Sequence, residues 1–179
     1  MASARIRRID ATELEARLDG FTELLHAAVH AGASVNFIMP FPPDEARAFW
    51  TTKALPAVAA GRNLAWIAEV DGRVAGTVQL ILDMPPNQPH RCEVTKLLVH
   101  PDFRNRGLAR ALMSALEAEA AARRRTLVTL DTRTGDKAEP LYLSMGYRVA
   151  GTIPGFCLDP FEPRLDSTTI MYKPLAAPA

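Results

Sequence analysis

The spacing of apolar and polar positions along the chain predicts alternating strands and helices. Arg5 to Ile9 alternates enough to form a first strand. Ala11 to Ala31 predicts a helix packed on a sheet, because its apolar residues recur at helical spacing: Leu14, Leu18, Phe21, Leu24, Leu25 and Ala28. A glycine and three prolines between residues 32 and 43 then break regular structure before a second predicted helix, from about Asp44 to Ala60.

Two neighbouring apolar stretches predict a β-hairpin. Asn63 to Val70 and Arg73 to Leu82 flank Asp71-Gly72, and an Asp-Gly pair accepts the positive φ values of a two-residue turn. Further along, Arg91 to Val99 predicts a strand, and Gly107 to about Arg124 predicts a helix with one apolar face.

A short apolar strand follows that helix. It runs from Leu127 to Leu130 and ends at Asp131-Thr132. A strand, helix, strand unit of this kind implies a right-handed parallel crossover. The turn before the helix therefore lies at the carboxyl end of a strand.

The last part of the chain predicts one helix and two strands. Asp136 can cap a helix that runs to about Met145. Tyr147 to Ile153 and Thr168 to Tyr172 predict the final strands. The fold class is a mixed α/β domain that spans residues 1–179.

Length, composition and charge narrow the function classes. The 179 residues fit one domain, and 48% apolar with 23% charged residues is ordinary globular composition. A net charge of +1 gives no overall field to recruit nucleic acid or an anionic membrane, and no stretch approaches the roughly 20 apolar residues of a membrane helix. The two cysteines make no disulfide framework and lack metal-ligand spacing. We therefore expect a cytoplasmic protein with small-molecule partners and no bound metal.

The segment from Val99 to Arg110 combines a strand end, a basic turn and the start of a helix. Backbone N–H groups from Arg104 to Ala109 can converge on an anion, because the first turn of a helix has no internal partners for them and carries the positive end of the dipole. Gly107 lets the backbone approach the ligand closely, since it has no Cβ. The turn is suited to a pyrophosphate. Arg104 and Arg106 could add direct phosphate contacts or simply face solvent.

The order Arg104-x-x-Gly107-x-Ala109 resembles the acyl-CoA signature of the Gcn5-related N-acetyltransferases, the GNAT family. The resemblance implies acetyl-CoA as the acyl donor. It also implies a central twisted mixed sheet of about seven strands with about four flanking helices, in which two splayed parallel strands form the acyl-CoA site. The donor-binding residues that it implies are Leu98, Val99, Arg104, Asn105, Arg106, Gly107, Leu108, Ala109 and Arg110.

Acetyl transfer to an amine needs a base, because an alkylamine with a pKa of about 10.4 is mostly protonated at neutral pH. Glu93 and Asp131 are the candidates, since they lie on the two strands that splay apart in the family. Alternation places Glu93 on one strand face with Thr95, Leu97 and Val99, facing the gap. Asp131 interrupts an apolar run at a strand's carboxyl end, where sites in α/β folds gather. Either carboxylate could instead be an ordinary surface group.

Tyr142 is the candidate acid. Tyr142-x-x-x-Gly146-Tyr147 resembles a family pattern whose first tyrosine points its hydroxyl at the thioester sulfur. A phenol of pKa about 10 can hydrogen-bond to, or protonate, a thiolate of pKa about 8.5 as the thiolate forms. The alternative is an amphipathic core tyrosine. The resemblance further implies that the backbone N–H of Val99, or of a neighbour, binds the developing oxyanion.

Four more blocks resemble the tabtoxin-resistance type of acetyltransferase, a bacterial enzyme that acetylates an amine of a β-lactam toxin. These blocks are Gly32-Ala33-Ser34-Val35, Glu93-Val94-x-Lys96-Leu97, Leu130-Asp131-Thr132 and Ile153-Pro154-Gly155-Phe156-Cys157. The resemblance covers nearly the whole chain and implies direct acetyl transfer to the amine of a toxin or another antimicrobial molecule. It does not fix the substrate, because loops decide specificity while the CoA site is shared.

Two other functions stay open: a protein N-acetyltransferase with an open peptide groove, and a non-catalytic acyl-CoA sensor. The prolines near residues 40 and 86 and a loop from Gly155 to Arg164 suit a closed pocket, which favours a small amine. The resemblance also implies a homodimer in which the strand Thr168 to Tyr172 adds to a partner's sheet.

Overall fold

The computed structural model describes residues 4–176 and contains a seven-stranded mixed sheet in the order β1-β2-β3-β4-β5-β7-β6. The strands are β1 (Arg5–Ile9), β2 (Asn63–Val70), β3 (Arg73–Ile81), β4 (Arg91–Val99), β5 (Leu127–Arg133), β6 (Arg148–Leu158) and β7 (Leu165–Pro174). The β4–β5 pair is parallel and the other neighbouring pairs are antiparallel. This is the mixed α/β fold that the sequence predicts.

Helices cover both faces of the sheet. They are α1 (Ala11–Ala16), α2 (Leu18–His30), α3 (Pro43–Phe49), α4 (Leu55–Ala59), α5 (Leu108–Ala122) and α6 (Ala138–Ser144). The single helix predicted over residues 11–31 is divided at Arg17, which leaves helical geometry and pairs with Glu69 of β2 at 2.8 Å. The helix predicted over residues 44–60 includes a π-helical turn at Trp50–Ala54.

The core has two apolar layers. One lies between the sheet and α5, and α6 contributes Tyr142 to it. The other lies under α1 to α4, where Phe21 and Trp50 are fully buried with ring centroids 4.9 Å apart. Both layers form because α2 and α5 each present one apolar stripe to the sheet.

The parallel pair β4–β5 comes apart soon after it begins. Pairing is confined to the first three positions of β4 and ends where Glu93 lies opposite Thr129. Beyond that point β4 continues to Val99 and β5 to Arg133 without facing each other in a ladder. The two strands therefore diverge and leave an opening between them.

A β-bulge in β4 interrupts the side-chain alternation that the sequence predicts. Lys96 has a φ of +54°, and the register with β3 shifts at this point. An extra residue in one strand reverses which face the later side chains occupy. Leu97 and Val99 consequently pack on the α5 side, whereas Leu98 packs on the α2 side. The prediction that Glu93 shares a face with Leu97 and Val99 is wrong for this reason.

The C-terminal third also differs from prediction. β6 extends to Leu158, so that much of the predicted loop from Gly155 to Arg164 is strand, and a turn at residues 159–164 leads into β7. The prediction that Asp136 caps α6 is wrong, because the N-cap residue of this helix is Lys137. The Asp136 carboxylate accepts a hydrogen bond from the backbone N–H of Lys137. β7 lies between β5 and β6. It cannot add to a partner's sheet, because both of its edges are already paired.

Within residues 4–176, no helix is both long and apolar enough to cross a membrane.

Close packing at Gly76 yields a stability prediction. Gly76 lies opposite Val99, and a Cβ at this position would be 2.8 Å from the backbone oxygen of Leu98 and 3.3 Å from Leu112. Gly76→Ala should therefore lower the free energy of unfolding by about 1–3 kcal/mol in urea denaturation. Gly151→Ala is the control, because a Cβ there meets nothing within 4 Å. Equal stability of the two variants would contradict this packing.

Candidate active site

A cavity of about 660 Å³ occupies the opening between β4 and β5. Its walls come from both strands, the turn before α5, helix α6, the segment after α2, and β6. The parting of the two strands leaves backbone groups of β4 free on the side that faces β5. A ligand in the cavity can therefore contact main chain as well as side chains.

The turn before α5 presents unpaired backbone donors. The N–H groups of residues 105–110 make no hydrogen bond to any group in the described part of the chain, and the first helical bond is donated by Ala111 to the carbonyl of Gly107 at 3.0 Å. Asn105 and Gly107 have φ values of +61° and +77°. The position of a Cβ on Gly107 is open space, with nothing within 4 Å. These features fit a pyrophosphate held on a helix N-terminus.

The arginines of this turn have different surroundings. Arg104 and Arg110 line the cavity, whereas Arg106 does not. The Arg106 guanidinium donates to the carbonyl of Asp102 and lies 5.2 Å from the centroid of the Phe103 ring. Arg110 donates to Ser144 Oγ at 2.6 Å. Arg104 and Arg110 are thus placed to reach an anion in the cavity, and Arg106 stabilises the turn from outside.

The end of β4 directs a backbone donor into the opening. The N–H of His100 donates to the carbonyl of Ala75 on β3 at 2.9 Å. Successive N–H groups of a strand point to opposite edges, so the N–H of Val99 points toward the β5 side. Val99 lines the cavity. This donor fits the carbonyl oxygen of an acyl group that lies along β4.

Tyr142 lies on α6, where it lines the cavity with only 6% of its surface exposed. Its ring packs edge-to-face on that of Tyr147, with centroids 5.6 Å apart. Burial raises the pKa of the Tyr142 hydroxyl, and the negative charges of Asp131 and Asp136 raise it further. The phenol therefore keeps its proton at neutral pH and acts as a hydrogen-bond donor.

Only one of the two predicted carboxylates lines the cavity. Asp131 lines the cavity, is exposed, and accepts a hydrogen bond from Thr168 Oγ1 of β7 at 3.1 Å. Glu93 lies outside the cavity lining, at the last paired position of β4 and β5. Its carboxylate is paired with Arg91 at 3.0 Å.

Lys96 is a cavity residue to which sequence reasoning gave no role. It is 9% exposed and lines the cavity at the β-bulge. Its Nζ donates to the carbonyl of Val35 at 3.1 Å and lies 5.2 Å from the ring centroid of Phe49 and 5.7 Å from that of Phe37. Burial lowers the pKa of Lys96 to about 8, an effect that the charge of Asp131 partly opposes. Its one sequence signal is a charge inside an otherwise apolar strand end.

The two cysteines lie in different surroundings. Burial raises the pKa of the Cys92 thiol to about 11, and Cys92 does not line the cavity, so it is poorly suited as a nucleophile. Cys157 lines the cavity near Ser34, with Sγ and Oγ 3.9 Å apart. Among the residues that the structure describes, no group of three or more His, Cys, Asp or Glu could hold a metal ion.

Comparison with known proteins agrees with this geometry. The family described as Acetyltransferase (GNAT) matches residues 22–147. The chain belongs to this family. GNAT acetyltransferases transfer an acetyl group from acetyl-CoA to an amine, and the activity of this chain is of that kind. The matched residues include β4, β5, Tyr142 and the turn before α5 (residues 104–107), here called the cradle.

This GNAT protein is similar to acetyltransferases from several bacteria, in sequence or in structure. An uncharacterized N-acetyltransferase in the hisH-hisA intergenic region of Azospirillum brasilense is 29% identical over 142 residues, which cover 78% of this chain and 82% of the relative. The structure of yncA from Salmonella typhimurium, solved with its cofactor acetyl-CoA, has a TM-score of 0.75 at 22% identity, covering 98% of this chain and 96% of that one. A ribosomal-protein-alanine N-acetyltransferase from Brucella melitensis has a TM-score of 0.72 at 22% identity, covering 96% and 99%. The likeness to the two structures is one of fold.

The buried tyrosines of this acetyltransferase provide a matched pair of variants. Tyr142→Phe should lower kcat on the order of 100-fold, because a proton donor to the departing thiolate is lost, and should leave acetyl-CoA affinity nearly unchanged. Tyr147→Phe is the control, since Tyr147 is also buried but does not line the cavity. Steady-state kinetics and calorimetric titration of acetyl-CoA measure both effects. Equal kcat for Tyr142→Phe and the parent enzyme would reject the acid role.

Proposed function

We propose that the protein transfers an acetyl group from acetyl-CoA to the primary amine of a small molecule by direct attack in a ternary complex. The observation that carries this proposal is one continuous cavity, which runs from the free N–H groups before α5 to Asp131 and also includes Tyr142. Donor site, acid and base thus lie on the same opening. Direct transfer requires this arrangement, because the amine and the thioester must meet without an enzyme-bound acyl group.

The residues of the cavity account for each step of transfer. The acceptor nitrogen forms a bond to the acyl carbon while the carbon–sulfur bond breaks. The N–H of Val99 is directed at the carbonyl oxygen, on which negative charge develops. Tyr142 gives its phenolic proton to the departing thiolate, and Asp131 receives a proton from the amine. The ammonium group loses two protons in all. The one on Asp131 passes to solvent, and the second, lost as the amide forms, replaces the proton that Tyr142 gave to the thiolate.

We assign the base to Asp131 rather than to Glu93. Asp131 lines the cavity, and one hydrogen bond from Thr168 leaves most of its acceptor capacity free. Glu93 is outside the cavity lining and its carboxylate is neutralised by Arg91. A base must reach the proton it removes, and Asp131 is better placed to do so.

The walls of the cavity near Asp131 favour a small acceptor. The segment after α2 contributes Ser34 and Asn36, and β6 contributes Phe156 and Cys157. Residues from two separate segments of the chain thus form this part of the wall. Neither the prolines near residue 40 nor those near residue 86 contribute to the lining, so of the predicted closure only the segment that begins at Gly155 supports this proposal.

The acceptor within this class is proposed to be a β-lactam toxin or another antimicrobial amine. The support is the resemblance of four sequence blocks to the tabtoxin-resistance type, together with the fact that each block contributes residues to the cavity wall. The fold does not choose among acceptors. Solved structures with TM-scores of 0.72 and 0.77 to this chain include a ribosomal-protein-alanine N-acetyltransferase and a phosphinothricin N-acetyltransferase.

Release of free CoA thiol from acetyl-CoA tests the proposed activity. The panel contains amino acids, polyamines, aminoglycosides and a β-lactam-bearing dipeptide toxin with its amino acid. We expect turnover confined to one class of small amine, with the acetylated amine identified by mass spectrometry. Acetyl-CoA binding without turnover of any member would contradict the proposal and favour a protein substrate or an acyl-CoA sensor.

Two carboxylate variants test the assignment of the base. Asp131→Asn should lower kcat on the order of 100-fold at neutral pH, because the amide cannot accept a proton. Glu93→Gln should retain most of the activity, since Glu93 lies outside the cavity lining. Circular dichroism and acetyl-CoA titration control for folding. A larger loss in Glu93→Gln than in Asp131→Asn would reverse the assignment.

A further inference from the structure

Two residues of opposite charge, Lys96 and Asp131, line the part of the cavity that is here called the acceptor end. Its lining residues are Ser34, Val35, Lys96, Asp131, Cys157 and Thr168. In residues 4–176, neither the Lys96 ammonium nor the Asp131 carboxylate has an oppositely charged partner within 4.0 Å. Lys96 is moreover buried, where an unpaired ammonium is costly.

Two other cations lie near this end: Lys137, at the start of α6, lines the cavity but is solvent-exposed, and Arg133 is already matched. The guanidinium of Arg133 pairs with Asp136 at 3.6 Å and with Asp159 and Asp166 at 3.5 Å, and it donates to the carbonyl of Gly32 at 3.1 Å. Its charge is used within the protein to join β5 to the β6–β7 turn and to the segment after α2. Of these three cations, Lys96 is the buried one, and it has no oppositely charged partner among the described residues.

The contacts of Lys96 position its ammonium without neutralising it. One of its three N–H donors is used by the carbonyl of Val35, and the rings of Phe37 and Phe49 lie on its other sides. Aromatic faces stabilise a cation but carry no net charge to balance it. An uncharged side chain of similar length, such as methionine, would fill the same aromatic surroundings. Because the side chain at this position is nevertheless a charged lysine, we expect an anionic group on the ligand.

We propose that the acceptor carries a carboxylate close to its amine, as an amino acid does, and that Lys96 binds this carboxylate while Asp131 faces the amine. This inference rests on the proposed function and narrows its substrate class. In a zwitterion, the negative group is complementary to the Lys96 ammonium and the positive group to the Asp131 carboxylate. Lys96 acts here as a specificity-determining residue, because it contacts the acceptor away from the reacting atoms.

The test compares each amino acid that is acetylated with its carboxamide, which keeps the amine and the side chain but lacks the negative charge. The parent enzyme should favour the amino acid in kcat/KM by on the order of 10- to 100-fold, the effect of one charged hydrogen-bond partner. Lys96→Met should lose most of this preference by raising KM for the amino acid, with a smaller effect on the carboxamide. Lys96→Arg should keep part of the preference.

Lys53→Met is the matched control, because Lys53 is an exposed lysine of the π-helical turn outside the cavity lining. It should retain the full preference. If Lys96→Met weakened the amino acid and its carboxamide equally, Lys96 would only anchor the Val35 segment and the inference would be overturned. The same conclusion would follow if the parent enzyme acetylated both acceptors equally well.

A binding measurement separates this inference from the proposed function. Calorimetric titration of the amino acid and its carboxamide into the protein with CoA present needs no turnover. Carboxylate-dependent binding that Lys96→Met abolishes would support the inference even if no acceptor were acetylated, in which case the proposed function alone would fail. Acetylation of amines without carboxylate-dependent binding would uphold the proposed function and overturn the inference. Should Lys96→Met not fold, loss of the preference in Lys96→Gln would support the inference and its retention would overturn it.

Discussion

The parting of β4 and β5 is the constraint on which the site depends. Buried backbone groups must find hydrogen-bond partners, yet from Val94 onward the β5-facing edge of β4 has no strand beside it. A ligand that pairs with this edge as an additional strand would satisfy these groups. The bulge at Lys96 contributes to the geometry, since its positive φ twists the second half of β4 away from the line of the first.

Several separate elements converge on this opening because of where the strands end. β4 leads through a 3-10 turn at Pro101–Phe103 into the cradle before α5, and β5 ends beside α6, which contributes Tyr142. β7 fills the far edge of β5 and supplies Thr168 to hold Asp131. Burial raises the pKa of the Tyr142 hydroxyl, which therefore stays protonated.

Local patterns made much of the fold predictable. The bounds of β1, β2 and β4 agree with the alternation in Arg5–Ile9, Asn63–Val70 and Arg91–Val99, and the Asp71-Gly72 turn forms as predicted. The features that were missed depend on long-range pairing. The position of β7 between β5 and β6 is set by topology, and the bulge at Lys96 is one residue in a regular apolar run. The cavity positions of Glu93 and Lys96 could not be predicted, because both depend on where β4 and β5 separate.

Backbone amide shifts on addition of CoA test most directly whether the opening and the cradle together hold the cofactor. Amide resonances would be followed in ¹⁵N–¹H spectra as CoA is titrated into the protein. We expect the amides of residues 105–110 and of Val99 to shift most, since they are the free donors at the cavity. Saturating CoA that left these amides unmoved while shifting others, such as those of the exposed strand β6, would contradict this expectation.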